Sequence, residues 1–121
     1  MRKPTRKGLI KKLDTICSEI VRARGRCLKC GASDYPHLDP AHIFSRKYLN
    51  TRWDIDLNII CLCDGCHFWA HANPILFTEF VRKKLGEDKY QLLKEAHNLI
   101  YKPTLADLQE KLKVLQEIKE G

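Results

Sequence analysis

Two CxxC pairs constrain this chain more than anything else in it. Cys27-Leu28-Lys29-Cys30 and Cys63-Asp64-Gly65-Cys66 stand thirty-two residues apart. A tetrahedral zinc wants four thiolates, and two such pairs supply them. A structural Zn2+ held by Cys27, Cys30, Cys63 and Cys66 is therefore expected, with a glycine after Cys30 where a tight metal-binding turn needs one. The competing use of six cysteines is a disulfide framework. Against it, the opening MRKPTRKGLIKK carries charge but no apolar stretch or small-residue cleavage site, which reads as a cytoplasmic rather than a secreted chain. That compartment keeps thiols reduced. No run approaches the roughly 18 apolar residues of a membrane span, so no membrane role is expected.

Charge is placed as unevenly as cysteine. Residues 1–30 hold ten Lys and Arg against Asp14 and Glu19, a net of +8, while the remainder nets −1. Such a cluster suits a polyanion, usually nucleic acid; a solubilising tail is the plainer use of the same charge. Arg2, Lys3, Arg6 and Lys7 are the candidate contacts of an N-terminal arm.

At 121 residues the chain reads as one domain. A basic arm covers 1–8 and an N-terminal helix 9–25, where Leu9, Ile10, Leu13, Ile16, Cys17, Ile20 and Val21 share one helical face. A zinc-stapled core follows over 26–73. HLDPAHIF can form a short strand, with Pro40 marking it as irregular or an edge, and DLNIICL a second, β-branched one. Ser45–Asp56 reads as a connecting loop. The second CxxC then opens a helix through about His71. Helices fill 74–121: Asn73-Pro74 supplies an N-cap and a first helical position, and Gly86 closes that helix near Leu85. The next places Leu92, Leu93, Ala96, Leu99 and Ile100 inward and His97 without an evident partner. Thr104 to Asp107 is a capping box for the last. The expected class is α+β and mostly helical.

With the cysteines committed to one zinc, His67 and His71 remain. Four apart on a predicted helix, they project from one face about a turn apart and can chelate a second metal. A lone pair of this kind is more often structural or exposed, but this one directly follows a zinc knuckle and two short strands. A single site mixing Cys61, His67 and His71 is disfavoured, because Cys61 has no cysteine partner and reads as a packed or spare thiol.

Two strands and a helix, with His42 in the first strand, Asn58 at the second and His67 on the helix, resemble the HNH nucleases of the ββα-metal, or His-Me finger, superfamily. The residues that carry the likeness are Asp39-Pro-Ala-His42, Asn58-Ile-Ile-Cys-Leu-Cys-Asp-Gly-Cys66-His67 and His71. Over more of the chain, KKLDTICSEIVRARGRCLKCG, AHIFSRKYLNTRWDIDLNIICLCDGCHFWAHANP and YQLLKEAHN resemble phage recombination endonucleases of the NinG type. The resemblance implies a metal-dependent DNA endonuclease, acting in a bacterial host cytoplasm on branched recombination intermediates and leaving a 5′-phosphate and a 3′-hydroxyl. His42 would be the general base and Asn58 would hold the loop carrying it. His67 and His71 would bind a catalytic divalent metal, Mg2+ or Mn2+, and Arg46, Lys47 and Arg52 would clamp phosphates. The residue before the base is often a ligand in this superfamily; here it is Ala41, and Asp39 is the nearest substitute. Duplex nicking is the rival substrate reading. A non-catalytic zinc-stapled DNA-binding module is the rival function, accounting for the cysteines and the arm but not for His42, Asn58, His67 and His71 together. Leu105, Leu108, Leu112, Leu115 and Ile118 form a stripe on the last helix, which leads to the expectation of a homodimer seamed there, since cutting two strands suits a two-fold pair.

Overall fold

The first helix starts a turn before its apolar face does. Thr5 Oγ1 accepts from the Gly8 amide, satisfying a free N–H of the first turn, so α1 spans Arg6–Arg22. The computed structural model describes residues 3–121; Arg2 lies outside them. Arg6 and Lys7 thus belong to a helix rather than to the arm expected over 1–8, and Arg6 Nη1 donates to the Pro103 carbonyl at 2.7 Å. A short 3-10 turn at Tyr35–His37 leads into β1 (Leu38–His42), then α2 (Leu49–Arg52), β2 (Ile59–Cys63), α3 (Asp64–Ala72), α4 (Pro74–Leu85), α5 (Glu87–Asn98) and α6 (Leu105–Glu120). The chain is mostly helical around one small sheet.

That sheet is antiparallel and two-stranded, with Leu38 opposite Cys63, Pro40 opposite Cys61 and His42 opposite Ile59. A two-stranded sheet is all edge, which is where proline is tolerated. Both α1 and α3 pack on it. Four consecutive residues of β2, Ile59 to Leu62, are buried, as happens when both faces of a strand are covered. Cys61 is among them, a packed thiol, and so is Cys17 of α1.

Four local expectations change in three dimensions. The stretch expected as loop over Ser45–Asp56 contains α2, whose Asn50 donates its side-chain amide to the carbonyls of Ala96, His97 and Leu99. These are the acceptors that the end of a helix leaves open, so α2 is held by capping α5. His97 has partners after all: it stacks on Phe44 with ring centroids 4.1 Å apart and meets Tyr48 edge-on at 4.6 Å. The inner face of α5 is narrower than its apolar pattern, and among the described elements α2 and α4 pack most closely against it. Tyr90 and Leu93 are buried, whereas Leu92, Leu99 and Ile100 are exposed, Ile100 at 91%. Asn73 does not cap α4 through its side chain; it donates to the Trp69 carbonyl at 3.1 Å and so closes α3 instead. Gly86 ends α4 as expected, at φ +84°, a conformation open to glycine.

Part of the stripe on α6 is covered by the chain itself, and Leu105 and Ile118 stay exposed. α6 lies along α1, burying Leu108 and Leu115 and half-burying Leu112, with Lys119 paired to Glu19 across the contact. Its expected capping box is formed, Thr104 accepting from the Asp107 amide and Asp107 from that of Thr104. A helix this apolar on one side is satisfied by the nearest apolar surface, which here is its own chain. No helix among the described residues is long and apolar enough to cross a membrane. Leu108→Ala should cost about 2–5 kcal/mol through lost burial and a residual cavity, against about 0.5 kcal/mol for the exposed Leu105→Ala. Urea titrations at two protein concentrations check this; a Leu108→Ala effect that grew on dilution would return the stripe to a dimer interface.

Candidate functional site

The two CxxC pairs meet. The Sγ atoms of Cys27, Cys30, Cys63 and Cys66 all lie within 4.8 Å of one another, and among the described residues this is the group of three or more side chains placed to hold a metal ion. Each pair is wound the same way, the fourth residue's amide aimed at the first sulfur: Cys30 N at 3.5 Å from Cys27 Sγ and Cys66 N at 3.4 Å from Cys63 Sγ. Burial opposes ionisation of Cys27, but backbone N–H groups of Cys30, Cys63 and Lys29 outweigh it and hold this thiol down at about 6. Cys66 is pushed up to about 12 by burial and by the thiols crowded around it. Cys27 ionises readily and Cys66 resists, so holding Cys66 as a thiolate beside Cys27 calls for a cation among them. The group can hold a structural metal such as zinc, whose four-thiolate sites have this donor set and pairing.

Cys63 is also the N-cap of α3, so the stapled cysteine fixes where that helix begins. Helical spacing then stands His67 and His71 side by side, ring centroids 4.8 Å apart and Nε2 atoms at 3.2 Å. Two nitrogens bound at about 2.0–2.1 Å to one tetrahedral ion stand about 3.3 Å apart. The same spacing serves a hydrogen bond between the rings, and either use turns both Nε2 atoms toward one point. Asp39 does not join them there. Its Oδ2 faces His67 Nδ1 at 3.2 Å, the nitrogen on the far side of the ring. Asp39 thus faces the ring nitrogen of His67 away from His71, and a carboxylate there fixes the tautomer that leaves the other nitrogen with its lone pair. The physical reason is the strand itself, which carries Asp39 alongside α3 rather than over its tip.

His42 ends β1, half-buried, with Nε2 2.9 Å from the Arg52 carbonyl. A carbonyl only accepts, so Nε2 carries the proton and Nδ1 keeps a lone pair. Burial lowers the His42 pKa below its ordinary 6.5; the Arg52 carbonyl opposes this and nearby Arg46 adds to it. Neutral imidazole is thus the resting form at neutral pH. Asn58, fully buried, ties the backbone around it: Oδ1 accepts from Phe44 N at 2.7 Å, and Nδ2 donates to the carbonyls of Phe44 at 3.2 Å and Thr51 at 2.9 Å. It thereby ties the start and the middle of the segment that leaves His42 and returns to β2. His42, Arg46, His67 and His71 share the lining of one cleft of about 590 Å3. Three imidazoles and a guanidinium lining one cleft are groups that can bind a phosphate and hydrogen-bond a water.

The three basic residues between the strands differ. Arg46 and Lys47 are exposed. Arg52 is not a free clamp: its Nε and Nη2 reach both oxygens of Asp14 at 2.9 and 2.6 Å. Its side chain is only 19% exposed, and what it offers His42 is its carbonyl. Asp14 was not among the residues singled out from sequence, where it is merely one of two acids in a basic segment. Partial burial opposes its ionisation, but hydrogen bonds from Arg52 and Trp53 and the charges of Arg52 and Arg46 hold its carboxyl below the ordinary value. No local pattern marks it, because its partners lie at least 32 residues away. Lys3, ahead of α1, and Lys7, in its first turn, are exposed.

Elemental analysis of protein purified without chelator should find one tightly held zinc per chain, lost in Cys63→Ser, which removes a ligand and alters the cap of α3 together. Structural zinc contributes on the order of 10 kcal/mol in small finger domains, so that variant should lose its cooperative melt, whereas Cys61→Ala should keep the metal. A folded, metal-free wild type under metal-replete conditions would refute the assignment. No family model, no curated protein and no solved structure matches this chain, so its function rests on the chemistry of these residues.

Proposed function

We propose that this protein is a metal-dependent DNA endonuclease of the HNH type, its ββα-metal core being β1, β2 and α3. The single observation that carries the reading is the shared cleft. One wall presents His42 with a free Nδ1 and a tied Nε2, and another presents the paired Nε2 atoms of His67 and His71. The hydrogen bonds of Asn58 to Phe44 and Thr51 support the role that the HNH resemblance gives it, holding the loop that carries His42.

In this reading a DNA phosphate lies in the cleft between His42 and the histidine pair. His42 Nδ1 takes a proton from a water as its oxygen attacks phosphorus; the bond to the 3′ oxygen breaks, leaving a 5′-phosphate and, after protonation from solvent, a 3′-hydroxyl. The Arg52 carbonyl keeps the ring in place and stabilises the imidazolium that forms. His67 and His71 would hold a divalent metal, with Asp39 orienting His67; when bound, such an ion neutralises the scissile phosphate and the charge developing on the 3′ oxygen. Arg46, at the mouth of the cleft and only loosely held, is the arginine placed to meet a phosphate. Lys47, exposed next to Arg46 in the chain, adds a second positive charge, which favours a substrate gripped through its backbone rather than its bases. Branched recombination intermediates, as the NinG resemblance implies, are the proposed substrate.

Cleavage of junction, flap, single-stranded and duplex DNA with Mg2+, Mn2+ or EDTA tests this directly. Activity should need the metal, and His42→Ala should lower it by about 10²–10⁴-fold with zinc content and DNA affinity unchanged. Because burial lowers the His42 pKa, the rate should rise with pH as the ring loses its proton and level off with a midpoint below 6.5. Binding without cleavage on every substrate and metal would leave the non-catalytic module; equal cutting of plain duplex would leave the nuclease but remove the branched-DNA preference.

A further inference from the structure

We propose that Asp14, on α1 and outside both candidate metal groups, is the positioning residue of the His42 base, holding through Arg52 the carbonyl that fixes the imidazole. This rests on reading His42 as the base, and goes beyond it by assigning a residue that neither the strands nor α3 supply.

The Asp14 carboxylate takes four N–H donors. Arg52 Nε and Trp53 Nε1 reach Oδ1 at 2.9 Å each, and Arg52 Nη2 and Arg46 Nη2 reach Oδ2 at 2.6 and 3.0 Å. The side-on arginine pair is the stronger, directional kind of ion pair, and it is mostly shielded from solvent. Arg52 Nη1 also donates to the Arg46 carbonyl at 3.0 Å, tying the guanidinium to the loop it belongs to. From the same residue, the Arg52 carbonyl points at His42 Nε2 at 2.9 Å. The path is therefore short: Asp14 carboxylate, Arg52 guanidinium, Arg52 carbonyl, His42 ring.

Something outside α2 has to set that carbonyl. α2 spans four residues, too few to hold a helix by themselves, and its side-chain anchor at the cleft end is Arg52. α1, by contrast, is fixed in the core: Leu13, next to Asp14, is fully buried, and Cys17, one turn on, is buried with its thiol 3.9 Å from the Trp53 carbonyl. A catalytic group is held best when its support stands on such a rigid element. If Asp14 were only a staple between α1 and the loop, its loss would lower stability alone. As a positioning residue, its loss should lower turnover in protein that is still folded, beyond any cost in stability and with substrate binding near normal, because a displacement of about 1 Å can cost about 10²-fold in rate.

The test uses the full chain with Asp14→Asn, Arg52→Lys and the double variant. Readouts are kcat and KM on one fixed DNA substrate, zinc content, thermal melting, and the 15N-resolved signal of the His42 Nε2 proton, which its hydrogen bond to a carbonyl protects from exchange. The expected result is a fall in kcat of about 10- to 100-fold with KM within about threefold, zinc retained, and the Nε2 proton signal lost. The double variant should be no worse than the poorer single, since both cut one link. Wild-type kcat with the proton signal retained overturns the proposal, as do additive losses in the double variant. Should Asp14→Asn not fold, Arg52→Lys, which keeps the charge but cannot span both oxygens, is read by the same criteria. The proton signal needs no cleavage: if His42→Ala showed the base reading to be wrong, retention of that signal in Asp14→Asn would still overturn the link from Asp14 to the ring, and its loss would support it.

Discussion

Two five-residue strands joined by a long connection do not form a stable sheet by themselves, so the closure of the cysteine group is the constraint on which the rest depends. It joins the turn after α1 to the end of β2 and the start of α3. The first knuckle is laid against β2 by a backbone bond as well, Leu28 N to the Cys61 carbonyl at 2.8 Å, and is closed on itself by Cys27 N to the Ala32 carbonyl at 2.7 Å. Lys29 between its cysteines sits over the Trp69 ring of α3 at 4.4 Å, and Trp69 meets Phe77 and Phe80 of α4 edge-on. Sulfur chemistry thus sets the register between sheet and helix, and packing carries that register outward. A domain this size buries a modest core, which is where a metal staple adds most.

A second, polar framework stands behind the cleft and is built differently. Asn58 is fully buried with both side-chain atoms hydrogen-bonded, and Asp14 has four donors on two oxygens. Buried polar groups satisfied to this degree are rigid because any displacement strands a donor or acceptor away from water. Rigidity is needed here, since the connection between the strands is mostly irregular and carries the carbonyl that orients His42. Asn50 capping α5 and His97 stacked on Phe44 pin the same connection from its other side. The irregular segment is therefore held from α1, β2 and α5 at once, and its exposed residues, Arg46 and Lys47, are presented from a fixed base.

Much of this was legible in the chain because the rules involved are local. Ligand pairs two residues apart announce a metal knuckle wherever they occur; histidines four apart on a helix share a face; Thr104 and Asp107 form their box from sequence neighbours alone. Even Cys61 as a packed thiol followed from its lack of a partner. The errors have one source. Arg52 looked like a phosphate clamp because its charge is visible in sequence while the carboxylate that claims it is not. His97 looked unpartnered because Phe44 stands 53 residues earlier. The α5 and α6 stripes gave the periodicity of a buried face without saying what would bury it, so one proved narrower than its pattern and the other folded onto α1.

The sequence by itself thus determined the donor sets: four thiols in two pairs, two imidazoles on one helical face, an imidazole and an amide at the two strands, and an excess of positive charge at one end. Spacing within a strand or a helix turn is enough to fix these, since bond geometry relates residues so close along the chain. Only the tertiary structure decided which donors meet and in which sense. It turned Asp39 to the far nitrogen of His67, gave Arg52 to Asp14, and aimed the Arg52 carbonyl at His42. Those choices depend on how α1 and β1 lie against the rest, and that is settled by the packing of residues far apart in sequence, which no local period encodes.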